Sequence, residues 1–224
     1  GAYGGAFVLS PRARGRLAGI ERADSVTFDP HKGMFLPYGT GCLLVADGRH
    51  LARAHHGDAA YLQDFGRLDR DGEPPSPSDF GPELSRSFRG LRLWLPLVVH
   101  GAAAFRDALD EKIELAEAFE AGLRARIAAG APLEIPTPTA LSIVTFRLRR
   151  RPDEPVDAWN ARNAALLNGV NQRARVFLSS TALPHPAGEA TTLRICVLNF
   201  RTHRSRIDAC LEDLDAALRD LDAT

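Results

Sequence analysis

The sequence predicts an α/β protein: a strand-and-loop segment with a lysine at a strand end, then a small α+β domain. Three observations predict it. A β-rich run, Val26-Thr27-Phe28, stops at Asp29-Pro30, and an apolar strand over 42–46 follows a Gly-punctuated loop. Proline fixes φ and has no N–H, so the first strand ends there. Lys32 then lies just past a strand's C-terminal end, the edge at which open α/β sheets collect ligands and reacting groups. Second, Phe105, Leu109, Ile113, Ala116, Phe119, Leu123 and Ile127 recur at steps of three or four, the signature of one long amphipathic helix. Third, Pro132, Pro136 and Pro138 mark a shift in composition, after which the order reads strand, helix, strand, strand, helix. The expected division is residues 1–130 and 131–224.

The elements follow in order. Residues 1–9 read as a strand-to-loop passage, and Ser10-Pro11 opens a short basic helix to about Leu17, with proline at the first turn, where its missing N–H is harmless. The strand after Lys32 closes at Asp47-Gly48, and a weak helical pattern covers 51–61. Residues 64–82 are rich in Gly, Pro, Asp and Ser, a loop long enough to be functional. A helix over 85–101 puts Phe88, Leu91, Leu95 and Val98 or Val99 on one face, with Pro96 as its kink. The long helix ends at Gly130, available for a C-cap. Beyond the boundary, 141–148, 176–180 and 193–200 read as strands and 157–172 as a helix. A last helix carries Ile207, Cys210, Leu211, Leu214, Leu218 and Leu221 behind a Ser205-x-x-Asp208 capping pattern.

Composition narrows the partners. The 224 residues are 45% hydrophobic and 25% charged, with 28 acids against 28 lysines and arginines. A balanced total gives no electrostatic support for nucleic acid or an anionic membrane, and Arg149-Arg150-Arg151 reads as a solvated strand end. No apolar run approaches the roughly 18 residues of a membrane span, and no signal-peptide pattern is present. Cys42, Cys196 and Cys210 lack metal-ligand spacing; two lie in apolar patterns, which points to buried, reduced thiols and a cytoplasmic setting. His55-His56 suggests a metal pair, but adjacent helical positions face apart and no third ligand is spaced to help, so no metal is expected.

Chemistry concentrates at Asp29-Pro30-His31-Lys32. A loop lysine is by default a solvated charge. Here Phe28, Met34, Phe35 and Leu36 surround it, and Asp29 is the single nearby acid. A lysine desolvated by such neighbours becomes a nucleophile near neutral pH, which a Schiff base to an aldehyde cofactor requires. His31 is open to three readings: proton carrier, ring-stacking group or packing.

Ser25, Lys32, the aromatic before the Gly-rich turn and Cys42 together resemble the lysine region of the group II pyridoxal-phosphate-dependent decarboxylases, relatives of the aromatic-amino-acid, histidine and glutamate decarboxylases. Asp-Pro-His-Lys is the specific part, and Gly39-Thr40-Gly41 departs slightly from the usual spacing. Ala2-Tyr3-Gly4-Gly5, 85–94 (SRSFRGLRLW) and 193–202 (LRICVLNFRT) agree. The resemblance runs nearly end to end, over the second half of the family's length, and the N-terminus reads as a truncation just after the aspartate that pairs with the cofactor's pyridine nitrogen.

The resemblance implies a fold-type-I pyridoxal-phosphate transferase large domain in part, then the small α+β domain, from a cytoplasmic homodimer acting on an L-amino acid. It implies that Lys32 carries the pyridoxal 5′-phosphate aldimine, that Ala2 packs on the ring, and that Ser85 opens a phosphate-binding helix start, for which a plain N-cap is the alternative. Asp29 is a poor phosphate ligand, because a carboxylate repels phosphate; orienting Lys32 suits it better. Arg201, closing the 193–200 strand, either holds the substrate carboxylate or makes an ion pair at the domain junction. Phe80 falls where the family's lid carries a proton-donating tyrosine, and a phenyl ring has no proton to give; Tyr61 is distant in sequence. Decarboxylation is therefore the leading expectation, with aldehyde-forming deamination, amino transfer or a catalytically inactive fragment as alternatives.

Overall fold

The computed structural model describes residues 1–55 and 77–223. They fall into two compact units, Gly1–Phe105 and Arg106–Thr224. The expected tyrosine alternative, Tyr61, as well as His56 and most of the 64–82 loop, lies outside the described residues.

In the first unit, residues 1–22 form three short 3-10 turns, Gly4–Leu9, Arg14–Leu17 and Ile20–Arg22, where the sequence suggested a strand passage and a helix. The first buries Ala6 and Phe7. Strand β1 (Ser25–Phe28) pairs antiparallel with β2 (Cys42–Val45). Between them stands α1 (Pro30–Gly33), with Pro30 at its first position. The connection holds only the single helical turn α1 rather than a helix packed across the sheet, and the two strands fold back on each other. Helix α2 (Gly48–His55) follows, and a 3-10 turn, Pro77–Phe80, packs against it.

Helix α3 spans Leu91–Ala128 and is interrupted at Gly101 (φ 76°, ψ 156°), a conformation open to glycine alone. Two expectations change. The helix starts at Leu91 rather than Ser85, and Pro96 lies inside it with no break there; the interruption at Gly101 falls where the 85–101 helix is expected to end. Pro96 sits near the helix start, so few intrahelical bonds are lost. The C-terminus is as expected: Gly130 (φ 99°) donates to Ile127 O at 3.0 Å and Ala131 to Arg126 O at 2.9 Å, the paired bonds of a Schellman cap.

The second unit is a four-stranded antiparallel sheet with helices. Its strands are β3 (Leu133–Glu134), β4 (Ile143–Leu148), β5 (Ser179–His185) and β6 (Gly188–Cys196), in the order β3-β4-β6-β5. Its helices are α4 (Val156–Asn171) and α5 (Arg204–Asp222). Leu115, Phe119 and Leu123 of α3 pack with Val144, Phe146, Leu166, Leu193, Ile207 and Leu214 in one core. Two strand boundaries move. The 176–180 strand starts at Ser179, because Asn171 bonds both the N–H and the C=O of Leu178 and holds the approach as a loop. The last strand ends at Cys196, and Asn199 turns the chain after it.

Candidate functional site

Asp29 leaves β1 with extended backbone (φ −108°, ψ 93°), and Pro30 starts α1, so residues 31 and 32 project from the first turn beyond the strand. Lys32 Nζ donates to Asp29 Oδ2 at 2.6 Å, and the lysine side chain is 42% exposed. The sequence predicted an amine dried by apolar neighbours. The structure gives an accessible one aimed by a carboxylate, because Met34 turns inward and is buried while Lys32 faces out. The Lys32 hydrogen bond holds the Asp29 carboxyl below its ordinary range against a smaller opposing effect of burial, with the Lys32 and His31 charges adding to the lowering.

His31 is ordered by three contacts. Its Nδ1 lies 2.7 Å from the Thr40 carbonyl, so Nδ1 carries the hydrogen and donates. The ring packs on Tyr38 at 4.7 Å, and Nε2 lies 4.0 Å from Asp29 Oδ2. Nε2 is thus the nitrogen left for proton exchange, on the same carboxylate that grips Lys32. The Ala2 carbonyl accepts the Asp29 N–H at 3.3 Å, which brings the N-terminal turn to this corner. Ala2, Asp29, His31 and Lys32 therefore form one constellation.

The other candidates belong to other elements. Phe80 ends the Pro77–Phe80 turn, where its ring edge would touch a Cβ on Gly48 at 3.6 Å. Ser85 is exposed and precedes the start of α3, so it is not the N-terminal residue of a helix. Arg201 belongs to the second unit and is exposed in a turn rather than closing a strand. Asn199 Oδ1 accepts the Arg201 N–H at 2.9 Å, and the guanidinium lies 5.2 Å over the Phe200 ring. Arg201 lines a cavity of about 320 Å³ with Asn199, Thr202, Arg206, Phe177 and Ile207.

The family model described as the pyridoxal-dependent decarboxylase conserved domain matches residues 1–149. The chain belongs to the pyridoxal-dependent decarboxylase family. It is 38% identical over 202 residues to an aromatic-L-amino-acid decarboxylase of Bacillus atrophaeus, covering 90% of this chain and 40% of that protein. It is 30% identical over 182 residues to phenylacetaldehyde synthase of Arabidopsis thaliana, covering 81% of this chain and 36% of that one. Among solved structures, Oryza sativa TDC with PLP and tryptamine superposes with a TM-score of 0.83 at 23% identity, over 98% of this chain and 44% of that one. The chain therefore has the fold of the corresponding part of these α/β enzymes and spans between 32% and 40% of the length of the curated relatives it matches.

In this member of the decarboxylase family the sequence reading missed a buried lysine. Lys112, on α3, is fully buried, and its ammonium donates to Thr202 O at 2.7 Å, Phe200 O at 3.5 Å and Glu111 Oε2 at 2.7 Å. Glu111 Oε1 also meets His203 Nδ1 at 2.7 Å. The available signal was Lys112 lying one residue before the apolar position Ile113. Among the described residues no cluster of three or more His, Cys, Asp or Glu is placed to hold a metal, and no helix is long and apolar enough to cross a membrane.

Proposed function

We propose that this chain carries the lysine-bearing part of a pyridoxal 5′-phosphate-dependent L-amino-acid decarboxylase, with an aromatic amino acid as substrate. The observation that carries the reading is the Lys32 amine, accessible beyond β1 and held 2.6 Å from Asp29 in a chain of this family. The donor set fits the cofactor's aldehyde end: a reachable primary amine with a carboxylate to aim it and an imidazole nitrogen nearby. Bound there, the cofactor supplies a conjugated ring that accepts the electron pair released when the Cα–carboxylate bond breaks.

The chain's own residues do the rest. Lys32 Nζ would be the amine that holds the cofactor's aldehyde end, within reach of the substrate's own amine. Asp29 orients Nζ and, as a carboxylate already engaged by Lys32, is a poor partner for phosphate. His31 Nε2 takes or returns a proton at the amine, its ring fixed by Thr40 and Tyr38. Ala2 is the small group against the ring, and Arg201 takes the substrate carboxylate. In the complete enzyme, residues 1–130 continue the cofactor domain and 131–224 form the C-terminal domain, in a cytoplasmic homodimer.

A second reading rests on Phe80. A phenyl ring delivers no proton to Cα, and the resemblance to phenylacetaldehyde synthase supports an aldehyde product. The experiment supplies pyridoxal 5′-phosphate and aromatic L-amino acids to the enzyme, then assays the products. Carbon dioxide with amine supports decarboxylation; carbon dioxide with aldehyde and ammonia, formed as dioxygen is consumed and reduced to hydrogen peroxide, supports the second reading. Borohydride trapping should fix the cofactor mass on the Lys32 peptide and lose it in Lys32→Ala. Trapping without turnover would identify a binding but inert chain, and failure to label Lys32 would overturn the assignment.

A further inference from the structure

A lysine ammonium with no exposed surface is costly unless its hydrogens are matched. Lys112 is matched almost entirely by one short loop. Two of its acceptors, the carbonyls of Phe200 and Thr202, flank Arg201 on either side. The third, Glu111, reaches the next loop residue, His203, with its other oxygen. The loop is tied from within as well: Asn199 Oδ1 takes the Arg201 N–H, and Asn199 O takes the Thr202 N–H at 3.0 Å. The backbone of Arg201 is thereby fixed on both sides while its guanidinium stays exposed at the cavity mouth. An anchor serving only to dock α5 on α3 would not need to take one carbonyl on each side of Arg201, that of Phe200 before it and that of Thr202 after it.

We infer that Lys112, with Glu111 and His203, is a clamp that positions the Arg201 guanidinium, which makes Lys112 a positioning residue for recognition of the substrate's carboxylate. The inference rests on the reading of Arg201 given above. Removing the ammonium frees the Phe200 and Thr202 carbonyls and lets the guanidinium swing, so the carboxylate loses its partner while the rest of the substrate does not.

The test compares Lys112→Met, Glu111→Gln, Arg201→Gln and Lys112→Met/Arg201→Gln in the enzyme. The first readout is amide hydrogen exchange without cofactor: Lys112→Met should speed exchange over 199–203 while α4 and β4 keep their protection. The second is KM for the amino acid against the inhibition constant of the decarboxylated amine. Lys112→Met should raise KM by about tenfold, a loss of roughly one charged hydrogen bond, and leave amine binding unchanged; the double variant should match Arg201→Gln. Glu111→Gln, which keeps a hydrogen-bonding oxygen, should fall between parent and Lys112→Met, and it provides the same readouts if the methionine variant does not fold. Equal losses for substrate and amine, or additive effects in the double variant, would overturn the clamp and leave a structural anchor. If Arg201→Gln itself leaves KM unchanged, the carboxylate role of Arg201 fails, and the clamp then stands or falls on the exchange at 199–203 alone.

Discussion

Gly33 follows Lys32, and its missing side chain is a packing requirement. A Cβ built there would lie 2.4 Å from the Ala6 Cβ and 3.3 Å from the Tyr3 carbonyl oxygen. Gly33 does not adopt a positive φ, so alanine meets a collision rather than backbone strain. Carbon atoms in contact sit roughly 3.5–4.0 Å apart, so Gly33→Ala has to push α1 and the Gly4–Leu9 turn apart by more than an ångström. Overpacking of this kind costs about 1–3 kcal/mol, and the displacement falls on the turn that bears His31 and Lys32. Ala6 is buried at 2% exposure, so its methyl has nowhere to retreat. The assay is a double-mutant cycle by urea denaturation, with borohydride trapping on Lys32 as the functional readout. Gly33→Ala should lose about 1–3 kcal/mol and most of its trapping; Ala6→Gly, which removes the opposing methyl, should recover both when combined with it. A coupling energy near zero, or a Gly33→Ala variant as stable as the parent, would show that the two turns are not in register as described.

Three further outcomes are expected. Asn163→Ala should cost about 1–3 kcal/mol in urea, because the buried Asn163 accepts the Leu148 N–H at 2.8 Å and donates to Trp159 O at 3.0 Å; a change within experimental error would refute it. The Asp47 carboxyl, lowered to about 2 by hydrogen bonds from the Arg49 side chain and backbone, should titrate there by NMR and move up toward 3.8 in Arg49→Gln. Because its folded pKa is depressed, its contribution to stability is complete above the unfolded value and disappears as pH falls through about 2. Iodoacetamide should label Cys196, which is exposed at the end of β6, before Cys210, whose thiol burial pushes up to about 12; early labelling of Cys210 in folded protein would contradict the core packing.

Local rules made part of this molecule legible. Asp29-Pro30 ends β1 because proline cannot continue it, and the α3 positions at 105, 109, 113, 116, 119 and 123 are all buried as their spacing implies. Gly130 caps α3 because the chain there needs a positive φ. Where sequence reasoning failed, the deciding partner was distant or the cue ambiguous. The expected 176–180 strand stops short of β5, which runs on through Pro184 to His185; β5 is an edge strand, where proline is tolerated. Cys196 follows an apolar run and was expected to be buried, yet it is exposed at the strand's end. Lys112 sits in a charged stretch of helix, and its carbonyl partners lie 88 and 90 residues further on, so no local pattern marks it as buried.

The Lys32 corner shows the same limit. Neighbouring apolar residues predicted a dry amine, but a helix turn separates adjacent side chains: Met34 goes into the core and Lys32 out to solvent. What the turn supplies instead is direction. Pro30 fixes the start of α1, the i,i+3 spacing brings Nζ onto Asp29, and the Ala2 carbonyl holds the Asp29 peptide from behind. Asp29 carries its charge well into acid, because the lysine hydrogen bond lowers its carboxyl, so this aim persists across the neutral range. On the reading proposed above, an incoming aldehyde would meet an amine presented by geometry, and freeing that amine would exchange one hydrogen bond at Asp29 rather than draw a charge out of a dry pocket.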